Sequence, residues 1–334
     1  MKTWVFAAAG ACHGEAAIAG PIARAAAEAG RKVRVLVDRP EAARFFEGLE
    51  VHLLQRRAAI TLLQPSDGVF VLCTSLLFRD ELHRWADHGV PVVPIECSWM
   101  PWWRQDPERY HAVERVLAVM PAEVWRAGLR AGGGPFDLPP TLEAWVSPVG
   151  WTFAPPSPRS NGHPYVFVYP GTNPRVFRSM EETLWRALEG LHRDGLRILL
   201  RAEPGAFDHT PSWVERIDWL PPNDFAQSVA GAELLLCHNG FAAIAQAAVA
   251  GVPACGLSDG DLFRRPRGDA WADLELHALG RSNIVEPVHG RISAHHLAAR
   301  LRPLVGQRRP PLQPVSGPAR AIEILDEVTA GDRC

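Results

Sequence analysis

Little in this sequence pulls strongly in one direction. A net charge of −2 and a pI near 6.7 leave no bulk attraction to nucleic acid or to anionic membrane surfaces. The six cysteines (Cys12, Cys73, Cys97, Cys237, Cys255 and Cys334) are scattered and form no Cys-x-x-Cys pair. That pattern argues against a disulfide framework and for reduced, buried thiols in the cytoplasm. There is no internal repeat and no nucleic-acid motif. The histidines, including His295 and His296, lack partners at metal-ligand spacing, so no metal site is expected. A membrane span is considered over residues 232–257, which are nearly all apolar and long enough to cross a bilayer. His238, Asn239 and Gln246 stand inside that stretch and Gly251-Val252-Pro253 breaks it, so a buried strand-helix-strand of a parallel sheet is expected instead. The first twelve residues faintly imitate a lipoprotein signal. Their single Lys2 and short apolar run read better as a first buried strand.

What is present is an ordinary soluble composition, 47% hydrophobic and 22% charged, over 334 residues. That length suggests two domains. Residues 3–9 read as a strand, 10–14 as a loop, 15–30 as an Ala-rich helix with Gly30 as its stop, and 32–38 as a second strand, which is a βαβ opening. Further strands are expected at 51–54, 68–73, 90–95, 115–120 and 145–149, with a helix near 78–87 and a loop at 129–140. Glu96 ends one strand, and Trp99, Trp102 and Trp103 follow where open α/β sheets bind ligands. They either wall a pocket or pack against a neighbouring element. The polar, Pro- and Gly-rich run 157–164 marks the boundary between domains 1–156 and 157–334. A second sheet opens at 165–169 and closes with a last strand at 284–286. Helices are expected at 179–191, with Ser179 as N-cap, at 293–305, with a Ser293 cap, and at 319–328. Arg201, ending the strand at 196–200, is either a phosphate-side cation or a surface residue.

The organising stretch is residues 238–253, HNGFAAIAQAAVAGVP. An apolar strand leads into it, and His238-Asn239-Gly240 forms a tight polar turn. An Ala-rich helix follows until Gly251 stops it and Pro253 prevents its resumption. A helix that starts just after a glycine turn presents backbone N–H groups and a positive dipole end, which suits a phosphate. The same pattern also occurs in any plain α/β unit.

This stretch resembles the donor-nucleotide signature of GT-B glycosyltransferases, enzymes of two Rossmann-like domains facing a cleft that use nucleotide-diphosphate sugars. His238, Gly240, Ala247, Gly251, Val252 and Pro253 match at the family's spacing; Asn239, Ala243, Gln246 and Ala248 depart from it. Gln246 replaces the Glu that typically grips both ribose hydroxyls, and an amide can accept from one hydroxyl and donate to the other. Trp219 and Pro221 match the turn that embraces the nucleobase, with Pro222 where a Gln often stands. Gly171 and Thr172, after the first strand of the second domain, match the turn that meets the phosphates. Asp259 or Asp261 falls where an acidic residue meets the sugar, but the Gln that usually follows is missing.

In the first domain, Gly10, His13 and Gly14 occupy the turn whose His often acts as general base in inverting members. The resemblance implies sugar transfer to an acceptor hydroxyl, with His13 as base, Glu96 orienting it, and Gly14, Trp99 and Trp102 in the acceptor pocket. It implies no cofactor and no metal, the donor sugar being a co-substrate. The acceptor is a small molecule, a lipid or a glycan, and no nucleic acid is involved. Nucleotide-sugar epimerisation or hydrolysis on the same fold is the first alternative. A non-catalytic, degenerate homologue that partners another enzyme is the second.

Overall fold

The computed structural model describes residues 2–8, 14–53, 67–73, 89–96, 113, 115–131, 145–153, 157, 162–171, 175–203, 205–217, 219–238, 240–258, 270–290, 292–311 and 317–331. They form two compact units, residues 1–153 with 314–334, and residues 154–313.

In the first unit, β1 (Thr3–Ala8) is followed by α1 (Gly14–Glu28), β2 (Lys32–Val37), a 3-10 helix (Pro40–Phe46), β3 (Glu50–Leu53), β4 (Asp67–Cys73), β5 (Val92–Glu96), β6 (Val116–Ala118), α2 (Ala122–Ala131) and β7 (Val146–Pro148). Among the described residues, these seven strands make one parallel sheet in the order β3-β2-β1-β4-β5-β6-β7. β1 and β5 are buried along their whole length. Burial on both faces is what an all-parallel sheet requires, and it explains why these strands are apolar runs rather than alternating patterns. The strand order reverses between β1 and β4, so the carboxyl ends of those two strands lie side by side. There the Cys73 thiol donates to the Glu15 carbonyl at 3.2 Å, tying the end of β4 to the first turn of α1.

The second unit repeats the plan. Its elements are β8 (Tyr165–Tyr169), α3 (Arg175–Ser179), α4 (Glu181–Arg193), β9 (Arg197–Arg201), β10 (Val214–Ile217), α5 (Pro222–Gly231), β11 (Leu234–His238), α6 (Phe241–Val249), β12 (Ala254–Ser258), α7 (Ala270–Arg281), β13 (Glu286–His289) and α8 (Ala294–Leu301). The parallel order among the described residues is β10-β9-β8-β11-β12-β13. One sheet face carries Val166, Val168, Ile198, Leu200, Leu234 and Leu236 into a core with Leu184 and Leu188 of α4 and Leu297 and Leu301 of α8. By the two-residue period of a strand, Phe167 and Tyr169 fall on the other face. There both meet the ring of Phe225 edge-on, at 5.5 and 4.9 Å.

The apolar stretch 232–257 thus resolves into β11, α6 and most of β12. No helix of the described residues is long and apolar enough to cross a membrane. Cys73, Cys237 and Cys255 are buried thiols, and burial pushes the Cys237 thiol up to about 12.

The last helix, α9 (Gly317–Ala330), belongs to the first unit and packs on α1 and β4. Its entry needs a glycine: a Cβ at Gly317 would meet the Trp151 carbonyl oxygen at 2.3 Å.

Two expectations are corrected. Ser179 does not cap the helix of residues 179–191. It closes the short α3, where its hydroxyl donates to the Val176 carbonyl at 2.8 Å, and α4 starts after Met180. The last strand lies at Glu286–His289 rather than 284–286, because it is an outer strand registered on β12 from Cys255↔Glu286 to Ser258↔His289. The Ser293 cap is present, its Oγ accepting from the His296 N–H at 3.3 Å.

Candidate active site

The strand order of the second sheet reverses between β8 and β11, and their last register pair is Cys237↔Tyr169. The turns at Gly171 and at residues 238–240 therefore leave adjacent strands at one edge, the place where open α/β sheets take ligands. Gly171 has φ +72°, with open space where a Cβ would stand, so the turn is a left-handed one facing room rather than packed atoms. Gly240 is the N-cap of α6; no side chain caps that end, and the Gly240 N–H turns back to the His238 carbonyl. The first-turn N–H groups of an α-helix have no intrahelical acceptors, and the positive end of the dipole lies with them.

His238 is the last residue of β11 and is 7% exposed. By alternation it falls on the face of Leu234 and Leu236. Gln246, five residues beyond Phe241, is 8% exposed, and its side chain leans toward the α6 N-terminus as helical side chains do. Its Oε1 is buried with no hydrogen-bond partner. A buried amide oxygen left in that state costs roughly 1–3 kcal/mol; a ligand hydroxyl is the kind of donor that would satisfy it. Trp219 follows β10 at the same edge. At 38% exposed it is one of two large apolar side chains exposed among the described residues, the other being Leu53. At the far side of the edge, Ser258 and His289, the last register pair of β12 and β13, hydrogen-bond at 2.8 Å.

Of the donor-side residues expected from the sequence, Gly171, Trp219, His238, Gly240 and Gln246 are thus placed on one edge of one sheet or the helix that leaves it. Thr172, Asn239, Asp259 and Asp261 lie outside the described residues. So do His13, Trp99 and Trp102 of the acceptor side. Gly14 is the first residue of α1, and Glu96 ends β5.

Glu96 is 1% exposed, and its Oε2 has no hydrogen-bond partner. Burial holds its carboxyl well above the usual carboxylate range, which favours the neutral acid. In that form it would orient an imidazole as a hydrogen-bonding partner rather than as a counter-ion. A carboxyl whose folded pKa is raised binds its proton more tightly in the native state, and the stability this gives is full below the unfolded value. It is lost as pH rises toward the folded pKa. Glu96→Gln is therefore expected to raise the melting temperature more at pH 8 than at pH 4. Equal shifts at both pH values in a thermal melt would contradict the buried neutral acid.

The sequence is compatible with Arg201 as a phosphate-side cation or as a surface residue. It is 4% exposed, so the surface alternative is excluded. Burial is the information the sequence withheld, since an arginine at a strand end is outwardly the same in both settings.

No family profile matches this chain, and no curated protein sequence matches it. Solved structures do. The glycotransferase of kitacinnamycin superposes with a TM-score of 0.64 at 15% identity, covering 98% of this chain and 95% of that one. MnaA of S. aureus, in a co-structure with UDP, gives 0.67 at 12% identity, covering 99% and 97%. The spinosyn rhamnosyltransferase SpnG, complexed with thymidine diphosphate, gives 0.60 at 15% identity, covering 99% and 96%. These likenesses span both units and show the architecture: two Rossmann-like units in the GT-B fold. Function has to come from the site, because one fold hosts many chemistries.

Proposed function

We propose that the protein is a glycosyltransferase that moves a sugar from a nucleotide-diphosphate donor to an acceptor hydroxyl. The observation that carries this reading is the pairing of the Gly171 and His238–Gly240 turns at the strand-order reversal, with the orphaned Gln246 oxygen on the helix that follows. The structural likeness to proteins crystallised with UDP and thymidine diphosphate supports it.

In this reading the diphosphate lies against the α6 N-terminus with Thr172, His238 and Asn239. Gln246 takes the ribose hydroxyls, Trp219 offers its flat face to the base, and Asp261 meets the sugar. His13 accepts the acceptor's proton as the new glycosidic bond forms and the bond to the diphosphate breaks. The helix dipole and its N–H groups stabilise the charge the leaving group carries away. Gly14, Trp99 and Trp102 line the acceptor side.

The test is incubation with nucleotide sugars, first without and then with a panel of small-molecule, lipid and glycan acceptors. Release of free nucleotide diphosphate only with an acceptor is expected. Release without one indicates hydrolysis, and an altered sugar indicates epimerisation. Intact donors under every condition contradict catalysis and favour a non-catalytic partner.

Gln246 has its own test. A carboxylate makes charge-assisted bonds to the ribose hydroxyls where the amide makes neutral ones. Gln246→Glu is therefore expected to tighten nucleoside-diphosphate binding by on the order of 1 kcal/mol. Because the position is buried, the same change should lower the ligand-free melting temperature as pH rises. Calorimetry showing unchanged affinity in both Gln246→Glu and Gln246→Ala, with the fold intact, would take this residue out of the site.

A further inference from the structure

At the carboxyl end of β9, one strand beyond β8, Arg201 is registered on Ile217 of β10 and directly follows Leu200, whose partner on β8 is Val168. Arginine is almost never this deeply buried without full pairing, because its guanidinium is always charged and carries five N–H donors. Here the pairing is incomplete. Nη2 meets Glu203 Oε1 at 2.8 Å, with the Glu203 side chain 48% exposed, while Nη1 is buried and has no hydrogen-bond partner. The guanidinium lies 5.5 Å from the centre of the Tyr169 ring.

The surroundings hold this arrangement in place. Arg216 donates to the Glu203 carbonyl at 3.2 Å. Further along the same loop, Glu181 accepts from the Asp208 and His209 N–H groups at 3.0 and 2.6 Å. The Trp185 indole donates to the His209 carbonyl at 2.9 Å. Tyr169 Cε1 comes within 3.7 Å of where a Cβ on Gly240 would lie. The Tyr169 ring thus neighbours both the guanidinium and the residue that opens α6.

We propose that Arg201 is a phosphate-binding residue of this site, its unpaired Nη1 donating to a diphosphate oxygen of the nucleotide while Glu203 holds the other arm of the guanidinium. The inference rests on the nucleotide-donor reading given above. A planar, permanently charged fork matches phosphate oxygens. An anion would satisfy both the missing bond and the buried charge, which one half-exposed carboxylate only partly balances. A neutral base or sugar could fill the hydrogen bond but would leave that balance unchanged.

The experiment is calorimetry with uridine, thymidine and guanosine diphosphates and with the matching nucleosides. The proteins compared are the wild type, Arg201→Gln and Glu203→Gln. Arg201→Gln is expected to weaken the tightest diphosphate about tenfold or more and to leave the nucleoside unchanged. Glu203→Gln is expected to tighten the diphosphate, because a competing negative charge is gone. This second variant alters a half-exposed side chain, so it decides the matter even where Arg201→Gln does not fold. Equal diphosphate affinity in the wild type and Glu203→Gln, or a loss in Arg201→Gln shared equally by the nucleoside, would overturn the assignment and make Arg201 a structural cation. A wild type that binds none of the three diphosphates overturns the donor reading itself, a different result from selective failure in the variants.

Discussion

Replacing His13 with alanine is expected to leave nucleotide binding intact and to lower turnover about a hundredfold or more, the range over which a positioned general base contributes. In the sequence, His13 falls between β1 and α1, immediately before Gly14. β1 is one of the two strands flanking the strand-order reversal of the first sheet, where a turn residue has access to a ligand. The ordinary imidazole pKa lies near neutrality, which suits this side-chain type to taking up a hydroxyl proton. Because no donor-side residue is altered, the expected signature is lost turnover at unchanged nucleotide affinity. Single-turnover kinetics beside calorimetry separate the two. Turnover retained in His13→Ala would make His13 a structural turn residue and leave base catalysis to another group.

The second large effect is on folding. Gly251→Ala is expected to destabilise the second unit by about 3 kcal/mol, the sum of a left-handed backbone penalty and an overpacking penalty. Gly251 ends α6 in a Schellman arrangement: its own N–H reaches the Ala248 carbonyl at 3.2 Å and the Val252 N–H reaches the Ala247 carbonyl at 2.8 Å. Its φ of +69° is one that alanine adopts only at a cost. In addition, a Cβ there would meet the Arg309 carbonyl oxygen at 2.3 Å, where the chain of residues 309–311 runs against the helix end. The Arg309 N–H bonds to the Gly251 carbonyl at 2.9 Å, so moving that segment away also breaks a backbone bond. A fall in melting temperature of roughly 6–12 °C is the expected size for a unit of this length. A change within a degree would mean that the 309–311 segment yields freely.

Gly251 shows how much was legible from the sequence and where legibility ended. Its role as helix stop could be read from an Ala-rich run followed by Gly-Val-Pro, because those residues act locally. Its contact with Arg309 could not, since it joins segments 58 residues apart in the chain. The same division holds elsewhere. The α/β class and the two parallel sheets followed from apolar strands alternating with helical runs. The 3-10 helix at Pro40–Phe46 was missed, as no helical period marks it. Ser179 misled because a serine ahead of two glutamates has the composition of a cap, and only the preceding turn of α3 shows that the chain is already helical there.

At the site, the 238–253 stretch was readable because its chemistry is contiguous. Gly171 and Trp219 came from resemblance rather than from any local signal, and the sheet order is what brings their strands to the same edge. The burial of Arg201 and Glu96 was not readable at all. Both are charged residues at strand ends, and whether such a side chain is covered depends on helices and loops distant in sequence.

The central claim is that the second unit binds a nucleoside diphosphate at the edge formed by β8 and β11. It is tested most directly by thermal melts of the wild-type protein against a panel of nucleoside diphosphates at millimolar concentration. A ligand that binds only the folded state stabilises it by mass action. A rise in melting temperature is expected with at least one diphosphate, uridine or thymidine diphosphate first among them. The same panel with no shift for any nucleoside diphosphate would contradict it.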